Sequence, residues 1–175
     1  MDARVPIGGI LLAALVLAGC QDTDPLMPTA EDVLAPVTAQ QRWTPHRPFA
    51  GHFAGTLAPG AQCGAEPWEV NLYVQGEGIA THLGVTTLDL RACYDMSTFT
   101  PVGPVTATFT GADGDEVWMI ATTFDADPTS GVMTADYDVV GGTGRFQDAE
   151  GDLAVTGQNY PDNTWTTEVT GWIAY

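Results

Sequence analysis

The stretch Val132–Gly157 constrains the fold of this chain most strongly, because it contains two segments in which apolar and polar residues alternate. In the first segment every second residue is apolar: Met133, Ala135, Tyr137 and Val139. A period of two is typical of a β-strand that buries one of its faces. We therefore expect a strand here, and a second strand where the alternation resumes at Leu153 and Val155.

A glycine-rich segment with one large apolar residue separates these two strands. Gly141 and Gly142 end the first strand, and Gly151 precedes the second. Residues 143–149 between them can form about one helical turn. Glycine permits positive φ and close backbone approach, so these positions are expected to be structural. We expect Phe146 to plug one end of the space that the two strands help to enclose.

The same alternation recurs after Phe49 and predicts an all-β domain with eight strands and no convincing helix. A tight turn is expected at Gly76–Gly78, followed by a long strand from Ile79 to Cys93. In the apolar run Val117–Phe124, alternation would place Trp118, Ile120 and Phe124 on one face. Eight antiparallel strands can close into a barrel that holds one small ligand, or can stack as a β-sandwich. The strand spacing fits both architectures.

A resemblance favours the barrel. The segment GGTGRF-x-x-A-x-G comprises Gly141, Gly142, Thr143, Gly144, Arg145, Phe146, Ala149 and Gly151. It resembles the segment before a late strand in dirigent proteins and in allene oxide cyclase-like barrels. A second segment, Gly78–Gly84, is similar to one in bacterial secreted proteins that also carry the glycine motif. The resemblance implies an eight-stranded antiparallel, calycin-like barrel with a cavity, and it carries over no set of catalytic residues.

The amino-terminal residues predict an export signal. Asp2 and Arg4 precede an uncharged apolar run, Val5 to Leu17, which is shorter than the roughly 20 residues that a transmembrane helix needs. The run ends in Leu-Ala-Gly-Cys, which resembles a bacterial lipoprotein signal and implies acylation of Cys20. The alternatives are an ordinary signal peptide with an incidental cysteine and an amino-terminal anchor helix. Gln21 after the cysteine would favour the outer membrane if the host has one.

This assignment divides the chain into three parts: a signal peptide over 1–19, an acidic, proline-rich tether over 20–48, and a β domain over 49–175. The prolines and acidic residues of the tether oppose helix formation. The predicted location is therefore the bacterial cell envelope, where lipid would anchor an exported protein to the membrane.

The net charge excludes some partners. The formal charge is -17, and the chain contains no lysine. Nucleic-acid binding depends on Lys and Arg neutralising phosphates, so we expect no nucleic-acid partner. Electrostatic attachment to anionic lipid headgroups is disfavoured for the same reason. An acidic, solvated surface is the simplest interpretation, and cation binding is the alternative.

Cys63 and Cys93 form an even pair in an exported protein if Cys20 is acylated. Cys63 lies just before a predicted strand, and Cys93 ends the strand that follows antiparallel to it. The start of one strand and the end of the next lie at the same end of a hairpin. We therefore predict a structural disulfide between them.

Aromatic and apolar residues on the predicted strands are the candidates for a ligand site. We assign Phe53, Trp68, Leu72, His82, Phe109 and Tyr137 as the residues that could bind a small apolar ligand. His82 shares the parity of Leu88 and Leu90, so it would point into the barrel if no bulge intervenes. There it could orient a ligand or move a proton. The alternative is a hydrogen-bonded structural histidine near the barrel end. Trp118, Trp165, Trp172 and Tyr73 could also line a pocket, although strand aromatics are more often core.

Motifs for catalysis, metals and cofactors are missing from the sequence. It contains no nucleophile elbow, phosphate-binding loop, dinucleotide fingerprint or His-Glu-x-x-His pattern. Asp125, Asp127 and Asp136 are spaced faintly like a calcium loop, but Pro128 lies within it and Ser130 replaces the turn glycine. Turn chemistry explains these residues better. We predict no metal, no cofactor and no catalytic set.

Three functions remain open. The first is a membrane-anchored barrel that binds a small apolar ligand, which the strand count and aromatic residues favour. The second is a structural surface protein that uses the apolar run Val117–Phe124 to contact neighbours, which include further copies of itself in a homo-oligomer. The third is a cyclase or isomerase of an apolar substrate, whose pocket would shape the reactive conformer and whose first polar candidate is His82.

Overall fold

The computed structural model describes residues 44–175 as a closed antiparallel β-barrel. The predicted signal peptide, Cys20 and nearly all of the predicted tether lie outside the described residues. The nine strands are β1 (Arg47–Gln62), β2 (Glu69–Ala80), β3 (Gly84–Asp95), β4 (Thr100–Pro101), β5 (Thr106–Gly111), β6 (Glu116–Ala126), β7 (Val132–Gly142), β8 (Glu150–Asn159) and β9 (Thr164–Ala174). A 3-10 turn, Gly144–Phe146, lies between β7 and β8.

Eight of the strands form the barrel, and β4 is a short addition that pairs only with β3. Each barrel strand pairs with its neighbours along the chain, and β1 pairs with β9 to close the ring. The prediction of an eight-stranded antiparallel barrel is therefore confirmed, and the β-sandwich is excluded. No helix within residues 44–175 combines the length and the apolar character that crossing a bilayer requires.

Alternation along β7 places the predicted residues inside the barrel. Ala135, Tyr137 and Val139 are buried, whereas Thr134 and Asp136 between them are exposed. The same period of two buries Leu88 and Leu90 of β3. These inward side chains form one continuous core, as expected for a barrel in which alternate residues face the interior.

Hairpin connectivity gives the barrel two different ends. The loops 63–68, 127–131 and 160–163 lie at one end, called the open pole below, together with the segment 96–105 that contains β4. The turns 81–83, 112–115 and 143–149 lie at the other end, called the closed pole, together with the start of β1 and the end of β9. The described chain therefore enters the barrel at the closed pole.

The predicted turn at Gly76–Gly78 is wrong, because β2 continues through both glycines to Ala80. A Cβ atom at Gly76 would lie 2.5 Å from Cζ2 of Trp165, and one at Gly78 would lie 2.7 Å from Cδ1 of Phe53. The glycines therefore make room for two inward aromatic rings rather than for a turn. The chain reverses instead at 81–83, where His82 has a φ of 68°.

The predicted face of Phe124 is also wrong. Trp118 and Ile120 point outward as expected, but Phe124 faces the interior and lies edge-on to Tyr94, 6.2 Å between ring centroids. The pairing of β6 with β7 shifts register between Ala121 and Thr123. One extra residue in a strand reverses the side-chain parity beyond it, which returns Phe124 to the inside.

Candidate functional site: the open-pole cavity

Phe146 closes one end of the barrel, as predicted. Its side chain is fully buried, and its ring lies 4.6 Å from that of Tyr175. Arg145 beside it donates to Oδ2 of Asp113 at 2.8 Å and to the carbonyl oxygen of His82 at 2.7 Å. Arg145 thus links the three turns of the closed pole, and the ring of Phe146 fills the space below them.

The motif glycines let the plug segment lie close to the start of β6. A Cβ atom at Gly142 would collide with the carbonyl oxygen of Glu116. Gly144 has a φ of 55°, and a Cβ atom there would collide with the carboxylate of Asp115. Thr143 completes the contact, because its hydroxyl accepts a 2.9 Å hydrogen bond from the backbone N–H of Glu116. These positions require glycine for packing, as the sequence indicated.

A stack of phenylalanine rings fills the barrel next to the closed pole. The ring centroid of Phe109 lies 4.7 Å from that of Phe53 and 5.8 Å from that of Phe49, and both pairs are nearly parallel. Phe109 also lines the space above. It therefore forms the floor of a cavity that extends to the open pole.

The cavity has a volume of about 550 Å³, within the range of small-molecule sites. Its wall is mostly apolar and comes from all eight barrel strands. Inward residues of the wall include Leu57, Leu72, Val74, Leu88, Leu90, Ala92, Tyr94, Ala107, Phe109, Met119, Phe124, Tyr137, Val155, Trp165, Thr167 and Val169. The rim includes Met96, Phe99, residues 127–131 and residues 158–161.

A hydrogen-bonded loop shapes one side of the rim. The carboxylate of Asp127 accepts from the backbone N–H of Thr129 at 2.8 Å and from the hydroxyl of Ser130 at 2.6 Å. The hydrogen bond from Ser130 comes first among the causes that hold the pKa of Asp127 below its usual value. Gln158, near the end of β8, donates to the carbonyl oxygen of Ser130 at 2.8 Å. Asp127 thus serves as a turn residue here.

Two tyrosines of the wall differ in their hydrogen bonding. The hydroxyl of Tyr94 donates to the carbonyl oxygen of Phe99 at 2.6 Å. Tyr137 is 3 % exposed, and its hydroxyl makes no hydrogen bond within residues 44–175. Burial raises the pKa of Tyr137 far above its ordinary value, so its hydroxyl stays protonated and can donate.

The assigned ligand residues separate into two groups. Leu72, Phe109 and Tyr137 line the cavity, whereas Phe53 packs beneath the floor. Trp68 lies outside, 45 % exposed before β2. His82 lies in the turn at the closed pole, where Nε2 is 3.0 Å from the carbonyl oxygen of Pro48. The left-handed turn at His82 therefore removes it from the face that its parity with Leu88 suggested.

Sequence reasoning missed several wall residues, chiefly Phe99 and Phe124. Phe99 reaches the rim from the β3–β4 loop, and Phe124 from beyond a bulge. Phe99 carries no periodic signal in the sequence, and the alternation around Phe124 predicts the opposite face. Of the four further strand aromatics that could line a pocket, Trp165 does so, whereas Trp118, Trp172 and Tyr73 do not.

The predicted pair Cys63–Cys93 is bonded, with its Cα atoms 5.8 Å apart. The bond joins the β1–β2 loop to β3 near the open pole. The predicted disulfide is therefore confirmed, and it holds one side of the barrel wall near the rim.

The comparisons with known proteins support the fold. No protein-family model matches the sequence, and no curated protein matches it. Among solved structures, a pterocarpan synthase dirigent protein matches with a TM-score of 0.50 at 11 % identity. The match covers 75 % of this chain and 86 % of that one. The domain shares the β-barrel fold of that dirigent protein, and at this identity the likeness extends to the fold alone.

Proposed function

We propose that the barrel binds a small, mostly apolar molecule in the open-pole cavity. The observation that carries the proposal is an apolar space of about 550 Å³ inside a barrel whose opposite end is plugged. Protein interiors are ordinarily close-packed, and unfilled apolar space forfeits dispersion contacts. An occupant of matching polarity would restore those contacts.

Filling the cavity from the inside tests this function. Ala107 lines the cavity from β5, and Thr106 beside it is exposed on the outer face. We expect Ala107→Phe to abolish binding of the neutral dye Nile red, whereas Thr106→Phe adds the same ring outside and leaves binding intact. Failure of the wild-type protein to bind the dye, or equal binding by both variants, would contradict the proposal. Native mass spectrometry of the purified protein would then identify any molecule that co-purifies.

We also propose that acylation of Cys20 anchors the protein to the cell envelope. The support is the Leu-Ala-Gly-Cys sequence after an apolar run. The first described residues, 44–46, lead into β1 at the closed pole, opposite the cavity mouth. Cys20→Ser should move the protein from the membrane fraction to the soluble fraction and remove incorporation of a fatty-acid label. A membrane-bound, labelled Cys20→Ser variant would refute the anchor.

A structural surface role is the second candidate, favoured by apolar side chains on the outer face of β6 and β7. Trp118, Ile120 and Val140 are between 41 and 52 % exposed. Such exposure is compatible with self-association or a protein partner. Sedimentation velocity would test it: Ile120→Thr should weaken association, and Val85→Thr, which removes an exposed valine from β3, should not. A wild-type monomer at high concentration would exclude self-association.

Catalysis on an apolar substrate is a third possibility. The name of the dirigent neighbour describes a synthase, but the likeness is one of fold. His82, the polar residue first considered for it, lies at the closed pole away from the cavity. The binding function therefore has the stronger support.

A further inference from the structure

Two hydrogen-bond donors in the cavity wall have no partner within residues 44–175. Nε1 of Trp165 is buried and unpaired, in a residue that is 4 % exposed. Tyr137 lies on β7, which β8 separates from the strand of Trp165, and it is 3 % exposed. Its hydroxyl also forms no hydrogen bond within residues 44–175. Buried polar groups almost always have a partner, so the unpaired indole N–H of Trp165 costs free energy. The hydroxyl oxygen of Tyr137 is not among the fully buried unpaired atoms, so it keeps some accessible surface and is open to an occupant.

The other inward polar groups of the wall are satisfied. The hydroxyl of Tyr94 donates to the backbone of Phe99, and the hydroxyl of Thr167 donates to the carbonyl oxygen of Thr156 at 2.9 Å. The two unpaired donors are therefore exceptions among the inward polar residues, and both line the same space. An indole N–H can only donate, so its partner must be an acceptor.

The charges around the cavity restrict that acceptor further. Among the described residues that line the cavity there is no Lys, Arg or His, and the rim carries the carboxylate of Asp127. The whole chain has a formal charge of -17. A buried anion without a cationic partner carries a large desolvation cost. A ligand with a carboxylate inside the cavity is therefore disfavoured.

We propose that the occupant is a neutral, mainly apolar molecule with carbonyl or ether oxygen, and that Tyr137 and Trp165 are the donors that bind it. The proposal rests on the binding function above and adds the chemical class of the ligand. The apolar wall would hold the hydrocarbon part, and the two donors would select for acceptor oxygen. Hydrocarbons would lack the hydrogen bonds, and fatty acids would bring an uncompensated charge.

Three naphthalenes of similar size and different polarity test this selection by equilibrium dialysis at pH 7.5. They are 2-acetylnaphthalene, a neutral ketone; 2-ethylnaphthalene, its hydrocarbon counterpart; and 2-naphthoate, an anion. We expect the ketone to bind about three- to tenfold more tightly than the hydrocarbon, the range that one net hydrogen bond provides. We expect 2-naphthoate to bind most weakly.

Variants assign the selection to the two donors. Tyr137→Phe and Trp165→Phe each remove a donor and keep an aromatic ring, so at least one should bring the ketone affinity down to that of the hydrocarbon. Tyr73→Phe, which removes a hydroxyl from the outer face of β2, should leave the ketone preference unchanged. A cooperative thermal unfolding transition confirms that each variant is folded. If one of the two donor variants does not fold, the other still tests the assignment.

The possible outcomes separate this inference from the binding function. Equal affinity for ketone and hydrocarbon, or tightest binding of 2-naphthoate, would overturn the ligand class while leaving the binding function in place. A ketone preference that survives in both donor variants would overturn the assignment of Tyr137 and Trp165. Binding of none of the three compounds would overturn the binding function itself.

Discussion

At the scale of single residues, Arg145 is the side chain that connects the turns of the closed pole. It bonds to Asp113 and to the backbone of His82, and its guanidinium carbon lies 4.8 Å from the ring centroid of Phe146. Arg145 and Asp113 are both about two-fifths exposed, so solvent reduces the contribution of the pair. We expect Arg145→Ala to lower the free energy of unfolding by about 1 kcal/mol in urea titrations.

Arg145→Lys is the matched variant for this prediction. Lysine keeps the positive charge but lacks the planar fork that reaches a carboxylate and a carbonyl together. Its stability should fall between those of the wild type and Arg145→Ala. If Arg145→Lys and Arg145→Ala are equally destabilising, the planar geometry of the guanidinium accounts for the whole effect. If Arg145→Ala has no effect on stability, Arg145 does not stabilise the closed pole.

Asp127 gives a prediction about pH at the rim of the cavity. Its pKa in the folded protein is lowered from 3.8, chiefly by the hydrogen bond from Ser130, so the carboxylate stabilises the fold above pH 3.8. That contribution is lost as the pH falls below 3.8 and through the lower folded value. Asp127→Asn replaces one accepting oxygen with a donor, so its melting temperature should lie below that of the wild type at pH 7.

The difference between the two melting temperatures should close as the pH falls from 5 towards 2. Asp148→Asn removes the same formal charge from the closed pole and reports the effect of net charge alone. A difference between wild type and Asp127→Asn that stays constant across this range would show that the carboxylate does not hold the loop.

At the scale of structural elements, the disulfide is a covalent constraint on the barrel wall. It closes a loop with a sequence separation of 30, which corresponds to about 3.5 kcal/mol in the chain-entropy treatment. The double variant Cys63→Ser, Cys93→Ser should therefore lose about that much stability in urea. Neither cysteine lines the cavity, so a folded double variant should keep its Nile red affinity. Unchanged stability would contradict the prediction.

The strands that the sequence predicted correctly are those governed by local alternation. Tyr137 and Val139 are inward because a period of two is a property of neighbouring residues, and the cysteine pair follows from hairpin connectivity. The errors arise where distant residues decide the conformation. Gly76 leaves space for the ring of Trp165, which lies far away along the chain. Because that contact is invisible in the local sequence, the glycines around Gly76 indicate a turn.

The candidate site was only partly predictable for the same reason. Leu72, Phe109 and Tyr137 line the cavity because strand parity was right at these positions. Phe124 and His82 were misplaced because a bulge and a left-handed turn reverse or end the parity that local sequence suggests. The unpaired state of Trp165 depends on its surroundings in three dimensions, so no sequence pattern could indicate it.

At the scale of the whole molecule, acidic side chains far outnumber basic ones, with 22 Asp and Glu against 5 Lys and Arg. Each of the three arginines in residues 44–175 already has a partner: Arg47 lies over the ring of Tyr175, Arg91 pairs with Asp89, and Arg145 pairs with Asp113. The chain as a whole carries a formal charge of -17. Like charges on a compact surface repel one another and destabilise the folded state.

Screening that repulsion should stabilise the barrel. The Debye length falls from about 30 Å at 0.01 M salt to about 3 Å at 1 M, so we expect the melting temperature to rise by a few degrees when NaCl is increased across this range. Sucrose at equal osmolality controls for effects of solute exclusion. MgCl2 and CaCl2 at matched ionic strength separate screening from a specific site, because screening predicts similar increases for both. A calcium effect far above that of magnesium would mean that a bound cation, and not screening of the acidic surface, stabilises the protein.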